Sequence, residues 1–469
     1  MKTYFYSLFL SLIYIFPIIS AKVLYQDDVS RTLRNSAYTW LREGRPLMAG
    51  IHYFLNFDTV IFNTAPLTQI LGVAALCYAG YLFIKKYKSD LPEYLKVLSI
   101  LSLIISPFFL ENLCFGFESI GFCFTLAISL LICCFSLSLV KTGLVSAVGM
   151  FLLLSIYQPA VSAPFIVAMT VLYFQPQTWK LFFVRVIGML SGVLVYTFTI
   201  ARTITRQGYD GVDVTSVFHF NEFLQNLSNF MTHYKELFFS DTSPGTLVLS
   251  GIVIVAVILS IVAHILTDAK DYKWVCVLPL VAFLSTVLPL CFLGKSLSDP
   301  VLGKALLTPR ILISFNVVCF FVMLMLSQLC IRRSLFIALP VTVMIWAFSF
   351  SYMFGGILTA QEKYENYVVS CIFHDIGKLE VDNNTKYHYI GHRLICYEAK
   401  KAEKKYKLFE SLNNVMFRND RGFWIGAISH YLNRPVKSAK YDKENYPVLV
   451  NHELYMIAGD KNHIFFFIK

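Results

Sequence analysis

Charge is what this sequence has least of: only 15% of its 469 residues are Asp, Glu, Lys or Arg, where a soluble domain carries about a quarter. That scarcity excludes an ordinary soluble globular protein. The chain also lacks any CxxC pair or Cys/His ligand spacing, which excludes a zinc module and dithiol redox chemistry. Nine of its eleven cysteines lie in or beside apolar runs, including the adjacent Cys133 and Cys134. Only Cys371 and Cys396 fall in polar sequence, where a disulfide and two free thiols are both open. No glycine-rich phosphate loop follows a strand, so a nucleotide-dependent enzyme is not indicated. Internal repeats and low-complexity stretches are absent as well. The net charge of +11 is read as cationic loops facing anionic lipid heads, and not as a nucleic-acid surface.

What is present is apolar sequence, 57% of the chain. A bilayer core takes about 20 apolar residues per helical span. Runs of that kind predict about eleven transmembrane helices, near 4–20, 64–84, 95–110, 117–140, 142–156, 159–175, 181–201, 246–267, 274–293, 311–330 and 335–357. The first, after Lys2, resembles a signal peptide but is longer than one and lacks a clear cleavage pattern, so it is read as an uncleaved helix. Alternate short loops carry Lys85, Lys86 and Lys88, then Lys141, Lys180, Lys270 with Lys273, and Arg332 with Arg333. The intervening turns at 111–116 and 157–158 carry no Lys or Arg. By the positive-inside rule the first set is cytoplasmic.

The expected fold is therefore an all-α polytopic membrane bundle over 1–358, followed by a small α+β domain at 359–469 outside the cytoplasm. Two large outer loops are expected, 22–63 and 202–245. In the second, Phe220, Phe223, Leu224, Leu227, Phe230, Met231, Tyr234, Leu237 and Phe238 follow the spacing of one helical face. Such a helix would lie in the membrane interface or pack against the tail. In the tail, helices are predicted at 359–372, 393–412 and 423–432. A hairpin is predicted from 453–458 and 463–468 across Gly459-Asp460-Lys461-Asn462.

The candidate chemistry lies at the outer ends of these helices. Asp27 and Asp28 directly follow the first span, where charge is costly and anionic lipid repels. A carboxylate there could serve as general base on a sugar hydroxyl, or hold a divalent cation against a phosphate. The structural alternative is a helix cap in which either acid pairs Arg31. Trp40-Leu41-Arg42-Glu43-Gly44-Arg45-Pro46 offers an aromatic face and a cation, as an interfacial belt also would. Glu111, Asn112, Glu118, Tyr157 and Gln158 face the same side, as do Lys295, Asp299, Lys304 and Arg310 in the loop 294–310. Acids in one sector and cations in another suit a sugar held by a phosphate leaving group. His374-Asp375 matches the short motif of HD-type phosphohydrolases, but no histidine stands upstream to complete their metal site before His264, inside a span. His388 and His392 have no acid or cysteine placed to complete a metal site with them.

These segments resemble the phage- and bacterium-encoded glucosyltransferases that modify O-antigen and convert serotype. The resemblance runs in order through Tyr25 to Arg31, Gly44-Arg45-Pro46, Phe108 to Ser119, Tyr157-Gln158-Pro159, Pro309-Arg310 and Ala360 to Glu365. It implies a GT-C-like glycosyltransferase in the bacterial inner membrane, with its C-terminal domain periplasmic. Such an enzyme takes glucose from undecaprenyl phosphate and adds it to lipid-linked O-antigen by a single, inverting displacement. Asp27 or Asp28 would be the base and Arg310 a contact for the donor phosphate. Arg31, Arg45, Glu118, Tyr157 and Gln158 would line the substrate site. Glu118 stands where relatives are expected to carry Asp, which leaves open which carboxylate touches substrate. A donor synthase and a donor flippase are implied as pathway partners. The competing readings are an O-antigen polymerase and a lipid-linked glycan flippase or transporter. Transporters place ionisable groups at mid-membrane, whereas Arg185 and His264 lie toward span ends.

Overall fold

Apolar sequence folds here into helices, and polar sequence into turns at their ends. The computed structural model describes residues 1–135, 138–204, 227–232, 235, 244–267, 272–287, 308–379, 385–417, 423–431, 446–460 and 462–469. The helices begin with α1 (Lys2–Ala21), α2 (Asp27–Arg34), α3 (Tyr38–Arg42), α4 (Pro46–Asn56), α5 (Leu67–Tyr87) and α6 (Glu93–Leu101). They continue with α7 (Phe109–Cys114), α8 (Ser119–Cys134), α9 (Leu139–Leu154), α10 (Ala163–Phe174) and α11 (Trp179–Tyr196). Then come α12 (Pro244–Thr267), α13 (Leu278–Ser285), α14 (Phe315–Arg332) and α15 (Ala338–Ile376). Short α16 (Tyr397–Lys405), α17 (Leu408–Leu412) and α18 (Phe423–Tyr431) complete the series.

Among the described residues, five helical stretches are long and apolar enough to cross a membrane: Lys2–Ala21, Leu67–Tyr87, Pro176–Ala201, Pro309–Arg332 and Ser334–Ile376. Five shorter apolar ones accompany them: Ser119–Cys134, Leu139–Leu154, Gln158–Phe174, Ser250–His264 and Lys273–Ser285. Their surfaces suit hydrocarbon. On α11, Phe183, Ile187, Leu190 and Leu194 form an exposed stripe, while Arg185, Gly188, Met189 and Gly192 are buried on the other face. A stripe that large is a liability in water and an ordinary surface in lipid.

With no solvent to expel between lipid-facing helices, close backbone approach has to supply the packing. α9 and α11 show how. A β-carbon at Gly188 would sit 2.2 Å from the Gly143 carbonyl oxygen, and one at Gly192 would sit 2.3 Å from that of Ala147. A set of buried hydroxyls is satisfied inside its own helices. Ser129, Ser146, Thr170 and Ser327 each donate to the carbonyl four residues earlier. At the C-terminus of α8, Lys86 Nζ donates to the Cys134 carbonyl (2.7 Å) and Arg185 to that of Cys133 (3.1 Å). Two cations thus meet the negative end of the helix dipole.

Several elements depart from the sequence reading. The span expected at 95–110 breaks after Leu101 and resumes as α7; the interval holds Ser106-Pro107, where the residue before proline disfavours helical backbone. The span at 335–357 and the helix at 359–372 are one 39-residue helix, α15. The expected helix 393–412 is split at Tyr406, which adopts extended backbone. Of the interfacial helix expected across 220–238, 227–232 and 235 are helical and the rest lies outside the described residues. Lys295, Asp299 and Lys304 also lie outside them. Cys371 and Cys396 are free thiols.

The chain forms two compact units, Met1–Ile19 with Ala37–Tyr352, and Ser20–Ser36 with Met353–Lys469. The first is the helical bundle. The second holds a four-stranded sheet of β1 (Lys386–Gly391), β2 (Val448–Asn451), β3 (Tyr455–Gly459) and β4 (His463–Ile468), in the order β1-β4-β3-β2. The expected hairpin is the antiparallel β3–β4 pair, and β1 adds to β4 in parallel. Val368, Val369, Ile372 and Ile376 of α15 form one core with Tyr387, Ile457, Ile464 and Phe466 of the sheet, joined by Val29 of α2. The segment 20–36 thus belongs to the unit that holds the C-terminal sheet.

Candidate active site

The site begins with a helix stop. Trp40 to Arg45 end α3 in a paired-bond turn: Gly44 N–H donates to Leu41 O (3.0 Å) and Arg45 N–H to Trp40 O (2.8 Å). The turn needs a left-handed residue, and Gly44 supplies it with φ of 73°. Pro46 then opens α4 at the first helical position, where its missing N–H costs nothing. The consequence is that Trp40 and Arg45 meet the same carboxylate.

That carboxylate is Glu118, buried at the N-terminal end of α8. Trp40 Nε1–H donates to Glu118 Oε1 (2.9 Å), and Arg45 Nη1 lies 3.4 Å from Oε2. His52 of α4 stacks on Trp40 at 4.3 Å, and its Nε2–H donates to the Phe117 carbonyl (2.9 Å). Arg45 also pairs Glu43 (3.1 Å) and donates through Nε to Gln158 Oε1 (3.2 Å). The Gln158 amide nitrogen donates in turn to Glu43 O (3.0 Å) and to Tyr196 Oη (2.8 Å). Tyr196, where α11 passes into a π turn over Thr197–Ala201, donates to Gly44 O (2.8 Å). The guanidinium of Arg45 sits 5.1 Å from the centre of the Tyr157 ring.

Tyr157 links this group to a second one. Its hydroxyl donates to the carbonyl of Arg310 (3.4 Å), which also accepts from Asn112 Nδ2 (3.3 Å). The Arg310 backbone N–H donates to Glu111 Oε2 (2.6 Å). The Arg310 guanidinium lies 5.1 Å from the centre of the Phe115 ring. Burial pushes the Tyr157 phenol up, against the opposing pull of Arg310 and Arg45. Glu118, Arg45, Tyr157, Gln158 and Arg310 therefore belong to one connected network. It lies at the end of α8 opposite the Lys86–Arg185 cap, about 24 Å away along 16 residues. Chemically it combines two guanidinium groups with hydroxyl, amide and carboxylate partners.

Asp27, Asp28 and Arg31 belong to the other unit. They lie on α2, whose first turn carries both acids, and Asp28 and Arg31 are buried. Spacing of three puts these two on one face of the helix. Thr32 Oγ1 donates to Asp28 O (2.8 Å), and Val29 packs where Gly426 of α18 leaves room. In the two histidine motifs, Asp375 and His388 make packing contacts. Asp375 accepts from Tyr455 Oη (2.8 Å) and pairs Lys378 (3.0 Å), tying the end of α15 to β3. His388 stacks on Phe465 at 4.3 Å. Among the described residues, no group of three or more His, Cys, Asp or Glu could hold a metal ion.

The sequence reading pairs Trp40 with Arg45 but does not include His52 or Tyr196. His52 has no sequence signal apart from its place on a short apolar helix. Tyr196 sits in an apolar run that reads as membrane span throughout. Glu111 and Asn112 are visible in sequence as polar helix-end residues, and the structure adds that both hold Arg310.

Comparison with known proteins places this network in context. The family model described as glucosyl transferase GtrII matches residues 16–349. The match contains α2 and every member of the network, and it ends before Ala360 to Glu365. A protein of Salmonella phage P22, described as an uncharacterized 55.3 kDa protein in the gtrB 5′ region, is 28% identical over 244 residues. That alignment covers 49% of this chain and 50% of the relative, so the chain spans about half the relative's length. No solved structure matches.

Proposed function

Because the chain belongs to the glucosyl transferase GtrII family, we propose that it moves glucose from undecaprenyl-phosphate-glucose to lipid-linked O-antigen on the periplasmic face of the inner membrane. The observation that carries this reading is the network joining Glu118, Arg45, Gln158, Tyr157 and Arg310 at one end of the apolar helices. Residues so close to hydrocarbon suit a substrate whose isoprenoid tail stays in lipid while its phosphate and sugar reach polar groups. The loops carrying Lys85 to Lys88 and Arg332 with Arg333 would face the cytoplasm, which puts the network on the other side. In this topology about eleven spans form a GT-C-like bundle, and the C-terminal unit is periplasmic. The partners are the two lipid-linked substrates, the enzymes that make and flip the donor, and membrane lipid.

The mechanism is one displacement. Asp27 or Asp28 takes the proton from an acceptor hydroxyl, and the freed oxygen attacks the anomeric carbon of glucose. The bond from that carbon to the phosphate oxygen breaks, and undecaprenyl phosphate leaves with the electron pair. Arg310 and Arg45 stabilise the charge that grows on the phosphate. Glu118 and Trp40 hold Arg45, while Gln158 and Tyr157 orient the sugar. The anomeric configuration inverts.

Mass spectrometry of lipopolysaccharide from an O-antigen-bearing host, with and without the chain and its donor-supplying partners, tests this. The expected result is a gain of one hexose per repeat, abolished by Asp27→Asn with Asp28→Asn. Unchanged repeat mass with altered chain length or surface display would instead indicate a polymerase or flippase.

A further inference from the structure

Buried polar atoms are costly in water and more so at membrane depth, where no solvent can rescue them. Several hydroxyls inside the helices avoid that cost by bonding their own backbone, while scattered atoms such as Ser7 Oγ, Gln69 Oε1 and Ser119 Oγ do not. One region gathers several such unpaired atoms. Among the described residues, Ser106 Oγ, Asn112 Oδ1, Thr308 Oγ1 and both amide atoms of Asn316 are buried without a hydrogen-bond partner. Asn112 is fully buried and Asn316 is 1% exposed.

These four residues come from two segments that pack together. Ser106 leads into α7, and Asn112 sits on it. Thr308 directly precedes the 3₁₀ turn Pro309–Ser314, and Asn316 lies in the first turn of α14, which follows it. Asn112 Nδ2 bonds Arg310 O, Glu111 bonds Arg310 N–H, and the rings of Phe108 and Phe315 meet at 5.4 Å. The unpaired atoms therefore border the seam that holds Arg310. An asparagine amide offers two donors and an acceptor oxygen, and a sugar hydroxyl both donates and accepts. Vicinal hydroxyls can satisfy both ends of one amide, and the Phe108 and Phe315 rings offer apolar surface for the carbon face of a ring.

From this, resting on the glycosyl-transfer reading above, we infer that the seam between α7 and Pro309–Ser314 is a sugar subsite. In it Asn112 and Asn316 take the hydroxyls of a pyranose ring, with Thr308 and Ser106 beside them. The ring is either the glucosyl group of the donor or a sugar of the acceptor repeat, and both present the same chemistry.

The test uses the full chain in membrane vesicles, with undecaprenyl-phosphate-glucose and lipid-linked O-antigen titrated separately. Asn316→Leu keeps the branched outline and removes the amide. Thr308→Val keeps the shape and removes the hydroxyl. Both variants are expected to melt at or above the wild-type temperature and to raise KM for one substrate at least tenfold. A rise for the donor assigns the seam to the transferred glucose, and a rise for the acceptor assigns it to the receiving sugar. Wild-type transfer with unchanged KM for both substrates in both variants would overturn the subsite alone. So would loss of thermal stability in step with activity, which marks the groups as structural. Absence of transfer by the wild-type chain would overturn the glycosyl-transfer reading and this inference with it.

Discussion

Glu365 has its carboxyl group buried in the second unit, where Oε1 accepts from the backbone N–H of Met416 (2.9 Å) and of Phe417 (3.5 Å). It lies past the apolar run of α15, in the stretch that also carries Glu362 and Lys363. Desolvation pushes its pKa up to about 8, partly offset by those hydrogen bonds. The folded unit therefore holds a proton that the unfolded chain releases near the ordinary glutamate value of about 4.3. The stability it contributes is complete below that value and is lost as pH rises toward 8, at about 1.4 kcal/mol per pH unit inside that window. Thermal melts of wild type and Glu365→Gln between about pH 5 and 8 check this. Wild type should lose stability with rising pH, and the variant should lose much less. In the sequence Glu365 is one charged residue among several in Ala360 to Glu365. What sets it apart is the loop 413–417 folded over it, a contact some fifty residues distant that no local pattern records.

Among the helices, α9 and α11 give the sharpest prediction, because backbone rather than side chain fills their interface. Gly192→Leu would drive a side chain into the Ala147 carbonyl and the Met150 side chain. It should cost at least about 2 kcal/mol or abolish accumulation, as severe overpacking does. Gly251→Ala in α12, where an added β-carbon meets nothing within 4 Å, should stay within about 0.5 kcal/mol of wild type. Detergent melts of the two variants separate these outcomes. Elements of this kind are also where the sequence is most and least readable. Gly44 followed by Pro46 announces the end of α3 and the start of α4, and Gly459 to Asn462 announces the β3–β4 turn, because backbone demand and residue type coincide. The third apolar run breaks in the stretch that holds Pro107, although hydropathy reads straight through it. Gly355 and Gly356 look like a boundary, yet α15 continues past them, since an isolated helix glycine costs only about 1 kcal/mol and flanking packing outweighs it. The parallel pairing of β1 with β4 joins residues more than seventy apart, and neither strand encodes its partner.

On the scale of the whole molecule, composition alone separates a lipid-facing bundle from a small polar unit. Among the described residues, five membrane-length helices and a four-stranded sheet answer to those two parts. The division of the chain is less legible, because Ser20–Ser36 joins the C-terminal unit through Val29 and through Tyr25, whose hydroxyl donates to Leu412 O (2.7 Å). The site is legible in part. Arg45, Glu118, Tyr157, Gln158 and Arg310 stand out as polar residues at the ends of apolar runs, and they share one network. His52 and Tyr196 belong to it only through the fold. The account's central claim is that this network serves transfer of glucose from a polyprenyl phosphate. It is tested most directly by reconstituting the chain in vesicles with undecaprenyl-phosphate carrying radiolabelled glucose and with lipid-linked O-antigen. The label that reaches the acceptor is then counted for wild type and for Glu118→Gln, which weakens the hold on Arg45 without changing side-chain shape. The account predicts transfer by wild type and at least a tenfold loss in the variant at unchanged melting temperature. Undiminished transfer by Glu118→Gln, or none by wild type, would contradict it.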